Sequence, residues 1–153
     1  ELALIPPVSG GTGAAAEPVR AHARVTAERL SVDDLLVRVR DPRAGATVTF
    51  SGVTREVERL EYEAYAEMAE ERIAAIVAEA IEAHGLCAAA CEHRVGSVTL
   101  SEPSVIVACS SPHRGEAFAG AREIIDRVKA EAPIWKREIE GGEERWVEGT
   151  RPD

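Results

Sequence analysis

KAEAPIWKREIEGGEERW, residues Lys129 to Trp146, begins as the end of a helix and finishes as a hairpin. Pro133 lacks a backbone N–H and pushes Ala132 out of the helical region, so a helix arriving at Lys129 must stop there. Ile134 to Ile139 and Glu144 to Val147 then read as two strands paired through Glu140 to Glu143, with Gly141-Gly142 at the turn. A helix handing directly to a strand pair belongs to segregated helices and sheets, and no doubly wound β-α-β alternation is present. The same stretch holds both lysines of the chain, Lys129 and Lys136; all the other residues among the 18 Lys and Arg are arginine. An amine can lose its proton when desolvated or crowded by cations and then act as base or nucleophile, which a guanidinium cannot do.

Working outward, Ser110-Ser111-Pro112 opens a long helix over His113 to Ala132, with Phe118, Ala121, Ile124, Ile125 and Val128 at helical spacing. Leu86 to Val95 and Ser104 to Ser110 read as strands, and Gly96 to Pro103 as their connection. Glu67 to His84 is the other long helix: Met68, Ile73, Ile76, Val77, Ala80 and Ile81 fall mostly on one face, and Gly85 sits where a helix stops. LEYEAY, Leu60 to Tyr65, alternates strictly and is expected to follow ATVTFSG, Ala46 to Gly52, as the next strand of an antiparallel pair, the earlier strand being buried. Asp41-Pro42-Arg43-Ala44-Gly45 is a turn. Ser31 with Asp34 makes a capping signature for a short helix over Val32 to Arg40, and AHARVTAERL supplies a first strand. The expected class is α+β, with mostly antiparallel sheets, two long helices and a short one.

A chain of 153 residues is one compact domain with a tail rather than two domains. Net charge of -9 argues against broad binding to nucleic acid or to an anionic membrane, so an anionic ligand must meet a local cluster of cations. No apolar run approaches the roughly 18 to 20 residues of a membrane span, and no signal-peptide pattern opens the sequence, which places the protein in the cytoplasm. Cys87, Cys91 and Cys109 are an odd count suited to a reducing compartment. Cys87, Cys91 and His93 can be read as metal ligands, but the alternation in LCAAACEHRVG favours buried strand residues and a closed zinc site needs a fourth ligand. ELALIPPVSGG, residues 1–11, reads as a strand end and an extended tail; residues 12–21 have linker composition, and the organised domain covers 22–153.

The two amines flank the bend at Pro133 and can face one pocket lined by Ile134 or Trp135. There each ammonium disfavours the other and partial burial acts in the same direction. The alternative is that Lys129 only complements the helix dipole. His113 and Arg114, in the first turn of the same helix, join free backbone N–H groups in a ready phosphate or carboxylate site, although a plain helix start explains Ser111-Pro112 equally well. Arg55 is a further cation just past the strand ending at Gly52, or else a solvated turn arginine.

From about Ala46 to Arg151 the segments FSGVTR, LEYEAYAEMAE, HRVG, SPHRGEAF, KAEAPIWKRE and ERWVEG resemble, in order and spacing, the large catalytic subunit of molybdopterin synthase. ELALIPPVSGG is similar to the C-terminal tail of that enzyme's small subunit, a ubiquitin-like sulfur carrier, so the chain resembles a fused synthase lacking nearly all of the carrier. The resemblance implies an α/β-hammerhead fold, a homodimer with the carrier as partner, and no cofactor or metal in the reaction. It implies sulfur transfer from carrier thiocarboxylates to cyclic pyranopterin monophosphate, with Lys129 and Lys136 as active-site lysines. His113, Arg114, Arg55 and Phe50 would bind substrate, with Arg137 and Arg145 near the pocket and Gly10-Gly11 as the carrier tail. The family's last arginine falls on Thr150 or its neighbour Arg151. The loop from Glu56 to Arg59 is shorter than the glycine-containing loop usual in the family. A non-catalytic module that docks a diglycine tail is the competing expectation.

Overall fold

The computed structural model describes residues 20–147. Eight strands and three helices follow one another as β1 (Ala21–Thr26), α1 (Val32–Val39), β2 (Ala46–Val53), β3 (Arg59–Ala64), α2 (Ala66–His84), β4 (Ala88–Arg94), β5 (Gly96–Thr99), β6 (Pro103–Ser111), α3 (Arg114–Glu131), β7 (Ile134–Glu140) and β8 (Glu143–Trp146). They form two four-stranded sheets, ordered β1-β4-β6-β2 and β5-β3-β7-β8. All pairings are antiparallel except β1 with β4. The expected α+β class with mostly antiparallel sheets, two long helices and a short one is what the chain adopts.

Both central strands of the first sheet are covered on two faces, which is why they read as nearly unbroken apolar runs. Cys91 of β4 and Val105, Val107 and Cys109 of β6 pack against Ile73, Ile76 and Val77 of α2 and Ile124 and Val128 of α3. The alternate residues, Ala88, Ala90, Ile106 and Ala108, pack against Leu35 and Val39 of α1. Alanines on that side let the short helix lie close. Its start is the expected cap, the Asp34 N–H donating to Ser31 Oγ at 3.3 Å. Gly85 ends α2 in the left-handed conformation at φ 64, and Gly141 and Gly142, at φ 59 and 87, turn the β7–β8 hairpin.

Several expectations need correction. The residues read as a connection after Gly96 include a strand, β5: Gly96 at φ 86 redirects the chain from the first sheet into the second, and Val98 is then buried against Leu60 and Tyr62. β2 and β3 are not partners, for β2 pairs with β6 while β3 lies between β5 and β7. β2 is also a sheet edge rather than a buried strand, leaving Phe50 37% and Val53 49% exposed. Met68 and Phe118, placed on the inner helix faces, are exposed. At those two positions the neighbouring Ala69 and Ala117 are buried instead, while Ile73, Ile76, Val77 and Ala80 of α2 and Ala121, Ile124, Ile125 and Val128 of α3 are buried as expected.

Candidate functional site

The two sheets and the end of α3 enclose a cavity of about 190 Å³. From the first sheet come Gly52 and Val53 of β2, His93 of β4, and Ser104 and Val105 of β6. The second sheet gives Leu60 and Tyr62 of β3 with Ile134, Trp135 and Lys136 of β7, and α3 gives Ile125, Val128 and Lys129. The bend at Pro133 therefore brings the two lysines to one recess lined by Ile134 and Trp135, as the sequence indicated. No aspartate or glutamate is among the residues lining it.

Lys136 is half-buried, its Nζ 6.0 Å from the centre of the Tyr62 ring. Desolvation lowers its pKa below the usual lysine value; Lys129 and, to a smaller extent, Arg55 act the same way, while Glu138 opposes them. Arg55 is thus within electrostatic reach of the cavity without lining it. Beneath Lys136 the Tyr62 hydroxyl donates to Ser104 Oγ at 3.0 Å, and Ser104 donates to the Gly52 carbonyl at 3.3 Å. This chain of bonds ties the two sheets together at the cavity floor.

Lys129 also borders a second, more open groove of about 470 Å³, lined by Val48, Thr49 and Phe50 of β2 and by Phe118, Ala121, Arg122, Ile125 and Asp126 of α3. Phe50 belongs to this groove and not to the cavity, the two meeting at Ile125 and Lys129.

The other expected site residues lie elsewhere. His113 caps α3 and Arg114 begins it, both exposed. Lys129 is in the last turn of the same helix, roughly 22 Å away at 1.5 Å per residue. One chain cannot place all three around one small ligand. Arg137 follows Lys136 on a strand and so points to the opposite face; there it pairs with Glu63 at 3.2 Å, also pairs with Glu144, and lies over the Trp146 ring. Arg145 pairs with Glu138 on the cavity side of the hairpin but is largely exposed. Gly10, Gly11, Thr150 and Arg151 lie outside the described residues.

His93 is the cavity residue that the sequence reading treated only as a strand residue or a metal ligand. It is buried, its ring meets Tyr62 edge-on at 5.0 Å, and its pKa falls to about 4, chiefly through desolvation. A histidine beside glutamate and arginine at the end of the apolar run LCAAAC was the available signal. Cys91 is buried in the α2–α3 core, where desolvation pushes its thiol well above the ordinary range. Among the described residues no three His, Cys, Asp or Glu side chains are grouped to hold a metal, so Cys87, Cys91 and His93 do not form the cluster weighed above. No helix of the described residues is long and apolar enough to cross a membrane.

This two-sheet α+β fold is similar to that of solved molybdopterin synthase structures: the enzyme from Staphylococcus aureus matches with TM-score 0.77 and 34% identity, covering 81% of this chain and 95% of that one. The family model described as MoaE protein matches residues 25–131, and this chain belongs to that family. The molybdopterin synthase catalytic subunit of Thermoplasma volcanium is 44% identical, the match covering 84% of this chain and 98% of the relative. Catalytic subunit 1 of Mycobacterium tuberculosis is 36% identical, with coverage of 90% and 97%.

Proposed function

We propose that this chain is a sulfurtransferase, the catalytic subunit that moves sulfur from the thiocarboxylate of a ubiquitin-like carrier to cyclic pyranopterin monophosphate in the cytoplasm, forming the molybdopterin dithiolene. The observation that carries the reading is the meeting of Lys129 and Lys136 in one cavity without a lining carboxylate, in a chain of this family. In each transfer the thiocarboxylate sulfur forms a bond to a substrate carbon as a C–O bond at that carbon breaks, the oxygen leaving with the phosphate as its ring opens or as water; water then cleaves the resulting thioester, releasing the carrier as a carboxylate and leaving sulfur on the product. Each cycle needs a group that accepts and returns protons beside the acyl carbon, and an amine can do both. Lys129, in contact with the cavity and with the β2–α3 groove, takes that role, and Lys136 holds substrate. Arg55 adds positive charge for the phosphate.

His113 and Arg114 fit this reading only if a second copy supplies them, because α3 separates them from Lys129. A homodimer in which the start of one α3 faces the cavity of the partner satisfies both observations. Residues 1–11 are proposed as a carrier-like tail and 12–21 as its linker to the catalytic domain over 22–153, on sequence resemblance alone. Gly11 is amide-bonded to Thr12, so its own thiocarboxylate would require a cut between them.

The test is reconstitution from the purified chain, thiocarboxylated carrier and cyclic pyranopterin monophosphate, with dithiolene product measured by conversion to a fluorescent pterin. Product together with desulfurated carrier is expected. Carrier binding without product in the presence of substrate would favour the tail-docking module instead.

A further inference from the structure

The cavity has two kinds of wall. Lys129 and Lys136 bring hydrogens to donate, whereas the hydroxyl groups of its floor have only lone pairs left to offer. Ser104 Oγ lies 3.3 Å from the Gly52 carbonyl, which can only accept, so the single hydroxyl hydrogen of Ser104 is committed there. Tyr62 must then donate its own hydrogen to Ser104, at 3.0 Å. Both oxygens remain acceptors. Trp135, also in the lining, has its indole N–H shielded from solvent.

His93 completes the floor. Its Nδ1 is 2.7 Å from the Arg94 carbonyl oxygen, so Nδ1 carries the hydrogen and Nε2 is a bare lone pair. That contact is the ring's only hydrogen bond among the described residues, and Nε2 is not one of the polar atoms shut away from solvent without a partner. The side chain is only 7% exposed, and desolvation keeps it neutral, its pKa pushed down to about 4. A nearly buried nitrogen that is reachable, unprotonated and without a protein donor calls for a ligand that brings the hydrogen. The cavity of about 190 Å³ has room for a water, roughly 30 Å³ in the liquid, beside the end of a bound chain.

A water between these walls is oriented by them: its hydrogens go to the acceptors of the floor, and its oxygen is left facing the amines and whatever they hold. We infer that His93 is a catalytic residue for the hydrolytic half of sulfur transfer: its Nε2 and a hydroxyl oxygen of Tyr62 or Ser104 accept the two hydrogens of one water, and Nε2 takes one of them as that water attacks the thioester. This inference deepens the sulfur-transfer reading and rests on it.

Hydrolysis needs a proton removed from water while one is returned to the departing sulfur, and a single group cannot do both at once. The water oxygen bonds to the acyl carbon as one hydrogen passes to Nε2. The C–S bond then breaks with its electron pair on sulfur, which stays on the substrate carbon and receives a proton from Lys129. The imidazolium gives its proton to solvent, the amine regains one, and the new carboxylic acid ionises, so the carrier leaves as a carboxylate. Without an anion, Lys129 and Lys136 add to desolvation in disfavouring an imidazolium. A phosphate held by the amines cancels their part, so Nε2 becomes a better base when substrate is bound.

The test is a single turnover of the purified chain with thiocarboxylated carrier and cyclic pyranopterin monophosphate, quenched in acid and followed by intact mass of the carrier. Wild-type chain should release carboxylate carrier with no lasting adduct. His93→Gln can hold a water through its amide oxygen but cannot take its proton. It should lose the thiocarboxylate, forming the carrier–substrate thioester, and clear that adduct about a hundredfold more slowly than wild type. Hydroxylamine, a nucleophile that needs no base, should release the trapped carrier as its hydroxamate. A folded His93→Gln that clears the adduct at the wild-type rate, or forms none while wild type turns over, overturns the inference and leaves the sulfur-transfer reading standing. A wild-type chain that desulfurates no carrier overturns both. If His93→Gln does not fold, Tyr62→Phe/Ser104→Ala decides: with the second acceptor gone, adduct clearance should slow by at least about threefold, and unaltered clearance overturns the inference equally.

Discussion

Lys136 stands directly opposite Tyr62 in the β3–β7 ladder, its Nζ 6.0 Å from the centre of that ring. Desolvation first, and then the charge of Lys129, depress its proton affinity against the opposing effect of Glu138.

The stability consequence has a definite sign. Unfolded Lys136 titrates near 10.5 and folded Lys136 below it, so in the interval between them the unfolded chain binds more protons and stability rises with pH. At neutral pH the charged, half-buried amine opposes folding. Lys136→Met should remove this rise, measured as urea midpoints at successive pH values up to 10.5; an equal rise in the variant would assign it to other groups.

His93 produces an analogous slope on the acid side. Its pKa goes from 6.5 unfolded to about 4 folded, so its contribution is present above 6.5 and is lost as pH falls toward 4. The loss is on the order of 3 kcal/mol for a shift of this size. His93→Gln should lack that component of acid destabilisation, while an identical acid slope in the two proteins would place it on other groups.

Separation of His113 and Arg114 from Lys129 along α3 makes a prediction about assembly. Lys129→Ala and Arg114→Ala chains, each nearly inactive alone, should recover activity when unfolded together and refolded as a mixture. Half the dimers are then mixed, each with one intact site of two, for about a quarter of the wild-type rate. Failure to recover, with mixed dimers demonstrated by mass, would rule out sharing between subunits.

Gly45 holds the start of α3 in place from the far side. Its N–H donates to the Ser111 carbonyl at 3.0 Å, and a methyl group added there would lie 2.6 Å from the Pro112 carbonyl oxygen. Backbone cannot yield as a side-chain tip does, so Gly45→Ala should lose about 1 to 3 kcal/mol in chemical denaturation. Gly115→Ala, one turn away with open space around it, should instead gain up to about 1 kcal/mol. Equal effects would mean that the turn around Gly45 relaxes freely.

The helices, the hairpin and the pairing of the lysines were legible because each depends on local chemistry: the Ser31 cap, Gly85, Pro133, Gly141-Gly142 and helical spacing. The division of strands between two sheets was not, since Ala46 to Gly52 and Leu60 to Tyr65 look like consecutive hairpin strands and the separation arises from β6 and β7 far along the chain. Phe118 and Met68 were misplaced by one step because alanines, not the larger apolar residues, occupy the inner stripe beside them. In the site, Lys129 and Lys136 are near neighbours across one bend, whereas His93 and Tyr62 reach the cavity only through the meeting of the two sheets. Arg137, adjacent in sequence to Lys136, is turned by strand alternation to the other face, where it pairs with Glu63.

Single-turnover sulfur transfer by Lys129→Ala, with carrier affinity measured on the same preparation, tests the central claim most directly. The account predicts product formation reduced by at least about a hundredfold, in the range for loss of an acid–base group, with carrier binding changed less than twofold. Product formed at the wild-type rate, or a loss fully explained by weaker carrier binding, would contradict it.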